Sequence, residues 1–175
     1  MLTGRGKTVL RSDDVRRVDV LPYAFRSQED YMVQASQAPQ RVSEFSTAHL
    51  TIWLEPPDLV RICSRGEVGE DDVVKTMGYF RELVKTMPYV LMLVDMSQQK
   101  HITSQARKAA AGSVAGIPYR GTALYGAPFA TRIAAQMTMT VVNAVVRNEN
   151  PTQFFEGEAE ARAWIEARRR KVTGS

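Results

Sequence analysis

The sequence predicts an α/β domain whose sheet is mostly parallel and begins with an antiparallel hairpin. Three observations carry this. Val90-Leu91-Met92-Leu93-Val94 is an apolar run without polar alternation, bounded by Pro88 and Asp95. That is the pattern of a central strand covered by helices on both faces. Before it, residues 49–54 and 59–64 are rich in β-formers and are joined by Glu55-Pro56-Pro57-Asp58, which makes a hairpin. After it, strand-like runs alternate with helical periodicity, which implies right-handed crossovers and parallel pairing. The resulting order is β-β-α-β-α-β-α-β-α over residues 46–171.

Residues 1–45 read as a polar, partly disordered or loosely packed extension, punctuated by Gly4, Gly6, Pro22 and Pro39. Within it, residues 13–21 suit a short helix or strand. Residues 29–38 suit a second helix with Tyr31, Met32 and Ala35 on one face. After the hairpin, Glu70-Asp71-Asp72 supplies an acidic first turn. Val73, Met77, Phe80, Val84 and Met87 then recur at helical spacing up to Pro88.

The central strand ends at Asp95. The loop from there to about Ser104 lies at the carboxyl edge, where open α/β sheets bind ligands. Thr103 or Ser104 caps a helix over residues 106–115, and residues 119–125 form the next strand. A helix over residues 129–147 carries an apolar stripe through Phe129, Ile133, Met137, Val141 and Val145, and Pro151 follows its end. Residues 153–155 form a short edge strand. Residues 158–170 form the last helix, with Ala161, Trp164 and Ile165 facing inward, and residues 172–175 are a tail.

The composition excludes several classes of function. With one cysteine and two histidines in 175 residues, neither a disulfide framework nor a Cys/His metal site is expected, and no cofactor is implied. No apolar run is long enough to span a membrane and no secretory signal is evident, so a cytoplasmic protein is expected. The net charge is +4. Residues 1–45 hold seven basic against six acidic side chains, residues 46–161 eleven against twelve, and residues 162–175 five against one. The excess therefore sits in Arg162, Arg168, Arg169, Arg170 and Lys171, where cations complement the carboxyl end of a helix. Specific nucleic-acid binding is not expected.

Asp95 is the sharpest candidate residue: at a strand end it could act as a base or bind a cation, or simply cap a turn by accepting backbone N–H groups. Ser97, Thr103 and Ser104 offer hydroxyls, but neither His49 nor His101 is marked as their base, so no catalytic constellation stands out and no enzyme is expected. Arg107 and Arg132 each follow a strand end and could meet one anionic ligand or a phosphorylated partner, or form surface ion pairs. Met77, Met87, Met92, Met96, Met137 and Met139 could line an adaptable apolar pocket or fill a core.

Four phrases, in this order, resemble the SpoIIAA-like family of STAS/SEC14-like domains. They are Trp53-Leu54-Glu55-Pro56-Pro57-Asp58-Leu59-Val60 leading into Arg65-Gly66-Glu67-Val68, then Leu93-Val94-Asp95-Met96-Ser97, then Thr103-Ser104-Gln105-Ala106-Arg107, and last Phe154-Phe155 followed by residues 158–165. The resemblance spans about residues 46–170 and implies a SpoIIAA-like, STAS-type sandwich. It also implies a non-catalytic regulatory or protein-interaction module with a protein partner; a homodimer is left open. The better-known relatives carry a phosphorylated serine in an Asp-Ser-Ser-Gly motif, and Ser104 stands at that place, with Thr103 for the acid and Ala106 for the glycine. The SEC14-like side of the resemblance implies instead a carrier or sensor of a small apolar, lipid-like molecule held between sheet and helices.

Overall fold

The computed structural model describes residues 41–128 and 150–174, together with residues 132, 133, 136, 137 and 140. The expected elements at residues 13–21 and 29–38, and most of the helix expected at 129–147, lie outside the described residues. The described elements are β1 (Val42–Ser46), β2 (Leu50–Glu55), β3 (Leu59–Val68), α1 (Glu70–Val84), β4 (Val90–Ile102), α2 (Ser104–Ser113), β5 (Tyr119–Tyr125), β6 (Thr152–Phe155) and α3 (Glu158–Thr173). They build one sheet in the order β1-β2-β3-β4-β5-β6. The first two pairings are antiparallel and the remaining three parallel.

Each strand alternates its side chains between two faces. Ile52, Val60 and Val90 point to one face and pack with Phe80 and Val84 of α1 and with Ala106 of α2. Leu59, Leu91, Leu93 and Ala123 point to the other and pack with Ala161 and Ile165 of α3. Burying a side chain such as Phe80 or Ile165 contributes about 1.5–3 kcal/mol, so the two cores hold the layers together. At Gly121 a Cβ would lie 2.9 Å from Arg168 Cγ and 3.3 Å from Leu91 Cδ2. The absent side chain is what lets α3 lie close on β5.

The helices start where the sequence places them. The Asp72 carboxylate turns back to accept a hydrogen bond from Gly69 N at 3.1 Å, closing the first turn of α1. Its acidic neighbours Glu70 and Asp71 also face the positive end of the helix dipole. α3 ends at Gly174, whose φ of 73° is the left-handed conformation glycine adopts without strain.

Two expectations change. Among the described residues the sheet starts at Val42, four residues before the expected start and inside the segment expected to be an extension. β1 is held by Phe45, which stacks on Tyr79 of α1 with centroids 5.0 Å apart, and Arg41 lies over the Trp53 ring. Its register breaks between Val42 and Phe45, which removes the alternation that would mark a strand.

The central strand does not end at Asp95. It continues to Ile102, because β3 also continues, to Val68, and the two stay paired through Arg65↔Gln98, Glu67↔His101 and Val68↔Ile102. Two register shifts along this pairing and the polar composition of residues 97–101 hide it from an apolar-pattern reading.

Candidate functional site

Between the sheet and helices α1 and α2 lies a cavity of about 170 Å³. Ile62, Met92 and Val94 in its wall are only partly buried, so the space opens toward solvent. β3 and β4 supply Ile62, Val68, Met92, Val94 and Met96 to its walls. α1 adds Val73 and Met77, α2 and its C-cap add Ala110 and Val114, and β5 adds Tyr119 and Leu124. Met92 and Met96 from the sheet and Met77 from α1 give it side chains that repack around differently shaped occupants. Met87 belongs to the adjoining core, Met137 is exposed, and Met139 lies outside the described residues.

The polar groups at this cavity are few and neutral: Ser64, Thr76, Gln99, Tyr119 and Asn150. Ser64 Oγ donates to Gln99 Oε1 at 2.8 Å, and Thr122 Oγ1 donates to Asn150 Oδ1 at 3.2 Å. Burial pushes the Tyr119 phenol well above its ordinary range, so it stays protonated. Two atoms differ from these. Thr76 Oγ1 and Gln99 Nε2 are buried and have no hydrogen-bond partner among the described residues.

The polar and charged residues singled out by the sequence lie elsewhere. Val94 and Met96 face the cavity, so Asp95 between them faces the opposite side of the sheet. There its Oδ1 accepts from Ser97 N at 2.9 Å and from Ser97 Oγ at 2.6 Å, and Cys63 Sγ lies 3.9 Å from its Oδ2. Burial pushes the Cys63 thiol up, away from the reactive thiolate. Asp95 is thus a mid-strand residue rather than a strand end. Ser97 is exposed and borders a shallow surface cleft with His49, Arg65 and Lys100.

Thr103 is the N-cap of α2, accepting from Ala106 N at 3.1 Å. Ser104 is the first helical residue, exposed, and its hydroxyl donates to Gln105 Oε1. Arg107 Nη1 donates to Ile102 O at 2.9 Å, fastening α2 to the end of β4. Arg132 pairs with Glu156 at 2.7 Å. The two arginines therefore serve different local contacts and do not converge on one anion site.

A polar cluster that the sequence reading did not find occupies the α3 face. Glu158 accepts from Arg61 Nη1 at 2.6 Å, from Arg162 Nε at 2.8 Å and from Tyr125 Oη at 3.0 Å. Burial alone would raise the Glu158 carboxyl, but the hydrogen bonds from Arg61 and Arg162 hold it at about 2. Arg162 reaches on to Glu55, with contacts of 2.8 and 3.1 Å. The basic excess of the last helix is thus used in part to fasten α3 to the hairpin, beyond any effect on the helix dipole.

The sequence signals for the cavity are Met77, Met92 and Met96, together with Thr76, a polar residue on the α1 stripe that otherwise runs Val73, Met77, Phe80 and Val84. Gln99 carried none, since it sits in a polar run. Among the described residues, no group of three or more His, Cys, Asp and Glu is placed to hold a metal ion. Nor is any described helix long and apolar enough to cross a membrane.

No family model matches the chain, and no curated protein matches it. Among solved structures it is similar to an uncharacterised protein of the DUF3478 family from Shewanella loihica PV-4, whose crystal structure is described as having a SpoIIAA-like fold. The TM-score is 0.50 at 17% sequence identity, over 69% of this chain and 98% of that one. The shared features are those of the fold, and this chain has a SpoIIAA-like α/β fold.

Proposed function

We propose that this protein is a non-catalytic regulatory module that senses or carries a small apolar ligand in the cavity between the sheet and helices α1 and α2. The observation that carries the reading is the void itself, about 170 Å³ with an almost wholly apolar lining. Wall residues Ile62, Met92 and Val94 are only partly buried, so a ligand that fills the space removes their remaining apolar surface from water, at about 25 cal/mol per Å². An apolar cavity of about 150 Å³ is known to take up benzene.

Among the described residues, none of the candidate hydroxyls is hydrogen-bonded to an imidazole: Ser97 Oγ donates to Asp95, Thr103 Oγ1 caps α2 and Ser104 Oγ donates to Gln105. Helix α2 links the cavity to the surface: Ala110 and Val114 line the void, while Ser104 and Gln105 face solvent. A ligand that shifts α2 would change the surface offered to a protein partner, which joins the ligand reading to the regulatory one.

Titration with benzene, followed by thermal unfolding and by native mass spectrometry, tests the proposal. A ligand that binds only the folded state at a hundred times its Kd adds about 2.7 kcal/mol, which is a clear rise in Tm. A Tm that does not respond to benzene or to larger hydrocarbons would overturn the reading.

A further inference from the structure

The two buried polar atoms at the cavity narrow the chemistry of its occupant. Thr76 is 2% exposed and Gln99 6% exposed, and both line the void. Neither Thr76 Oγ1 nor Gln99 Nε2 has a hydrogen-bond partner among the described residues. A buried polar group left without a partner destabilises a fold by the whole of its lost hydration. In an otherwise apolar wall, two such groups in one cavity are unexpected unless something in the cavity satisfies them.

The amide of Gln99 is oriented by its other end. Ser64 Oγ donates to Oε1 at 2.8 Å, which leaves Nε2, a donor with no acceptor role, without a partner among the described residues. Thr76 Oγ1 is a second buried donor that needs an acceptor. No charged side chain is among the described residues lining the void, so an ionised ligand would enter without a counter-charge.

We infer that the cavity selects a neutral, ring-sized molecule bearing one carbonyl-type hydrogen-bond acceptor, read by the Gln99 side-chain amide and the Thr76 hydroxyl. This selection rests on the cavity being a ligand site, and it adds a polar criterion to a pocket that shape alone would fill with any hydrocarbon. By comparison with a benzene-holding cavity of about 150 Å³, the ligand has about six to eight non-hydrogen atoms.

A matched pair of probes tests the polar criterion on the full chain. Cyclohexanone and methylidenecyclohexane share one shape and differ in whether the exocyclic atom accepts a hydrogen bond. Calorimetric titration should show both binding to the wild type. Thr76→Val, which keeps the volume, should weaken cyclohexanone by roughly tenfold, the scale of one lost hydrogen bond, while leaving methylidenecyclohexane unchanged or tighter.

The double variant Ser64→Ala with Gln99→Met removes the amide together with the hydroxyl that orients it, and should act in the same direction. If both probes bind and neither variant changes their ratio, the polar criterion is overturned while the cavity remains a ligand site. If neither probe binds the wild type, both readings fall.

Discussion

Arg169 and Asp58, 111 positions apart, meet in a two-pronged ion pair: Arg169 Nε lies 2.9 and 3.0 Å from the two carboxylate oxygens and Nη2 lies 2.7 Å from Oδ1. Tyr89 Oη donates to the same carboxylate at 2.6 Å. Asp58 sits in the turn between β2 and β3, so the pair ties the last helix to the first hairpin. Removing one partner of a buried pair strands the other charge, which costs about 3–5 kcal/mol. Arg169→Ala should therefore lower the urea midpoint strongly, and Arg169→Lys should recover only part, since an ammonium cannot reproduce the fork. An alanine variant within error of wild type in urea unfolding would show that this contact does not fasten α3.

Thr103 and Ser104 separate cleanly in the structure, and mutation should separate them too. Thr103→Ala removes the cap of α2 and should cost about 1 kcal/mol in thermal or urea unfolding. Ser104→Ala should be close to neutral, and Ser104→Asp should add a few tenths of a kcal/mol through the helix dipole, about 0.3 or more. The reverse ranking would make Ser104 the cap.

Glu158 gives a pH dependence with a defined sign. Its carboxyl is held at about 2, below its ordinary 4.5. The native state thus binds fewer protons than the unfolded chain, and the stabilisation is complete above pH 4.5 and lost as pH falls toward 2. The side chain is 38% exposed, so solvent screening reduces its size. Glu158→Gln should flatten the fall in stability across that window and should cost most near neutrality. An unchanged slope in acid titration followed by circular dichroism would contradict this.

Much of the architecture was legible because burial writes itself into short apolar runs. The hairpin, β5, α1 and α3 follow from residues 49–64, 119–125, 70–84 and 158–170, whose patterns the packing obeys. What stayed hidden depended on backbone pairing or on distance in sequence. The second half of β4 pairs through a polar run with shifted register, so the apolar run alone marks Asp95 as a strand end. Asp58 and Arg169 could not be paired without the fold. The cavity was legible only as a loose expectation of an apolar pocket, because a void is a relation among many side chains, of which the methionine pattern marks Met77, Met92 and Met96.

β1 (Val42–Ser46) overlaps the segment expected to be an extension, and two truncations separate its contribution from that of the residues before it. Deleting residues 1–40 should leave a cooperative unfolding transition. Deleting residues 1–46 removes β1, takes Phe45 off Tyr79 and Arg41 off Trp53, and should lower the Tm well below that of the shorter deletion. Equal melting of the two truncations would mean that β1 contributes nothing to stability.

The cavity itself makes paired predictions of opposite sign. Ala110→Leu carries three more carbon atoms toward a void that α2 borders, and each buried methylene is worth about 0.8 kcal/mol when it fills space without strain. The variant should gain about 1–2 kcal/mol and lose affinity for benzene, because the same space cannot serve both. Leu124→Ala acts from the sheet side and enlarges the void. It should cost about 2–5 kcal/mol and allow a larger hydrocarbon, such as naphthalene, to bind and restore part of the loss. Restoration is the informative half, since any core truncation destabilises but only one that opens onto a ligand cavity is rescued by a molecule of matching size. A destabilised Ala110→Leu with undiminished benzene binding, measured by urea unfolding and calorimetry, would place the ligand somewhere else.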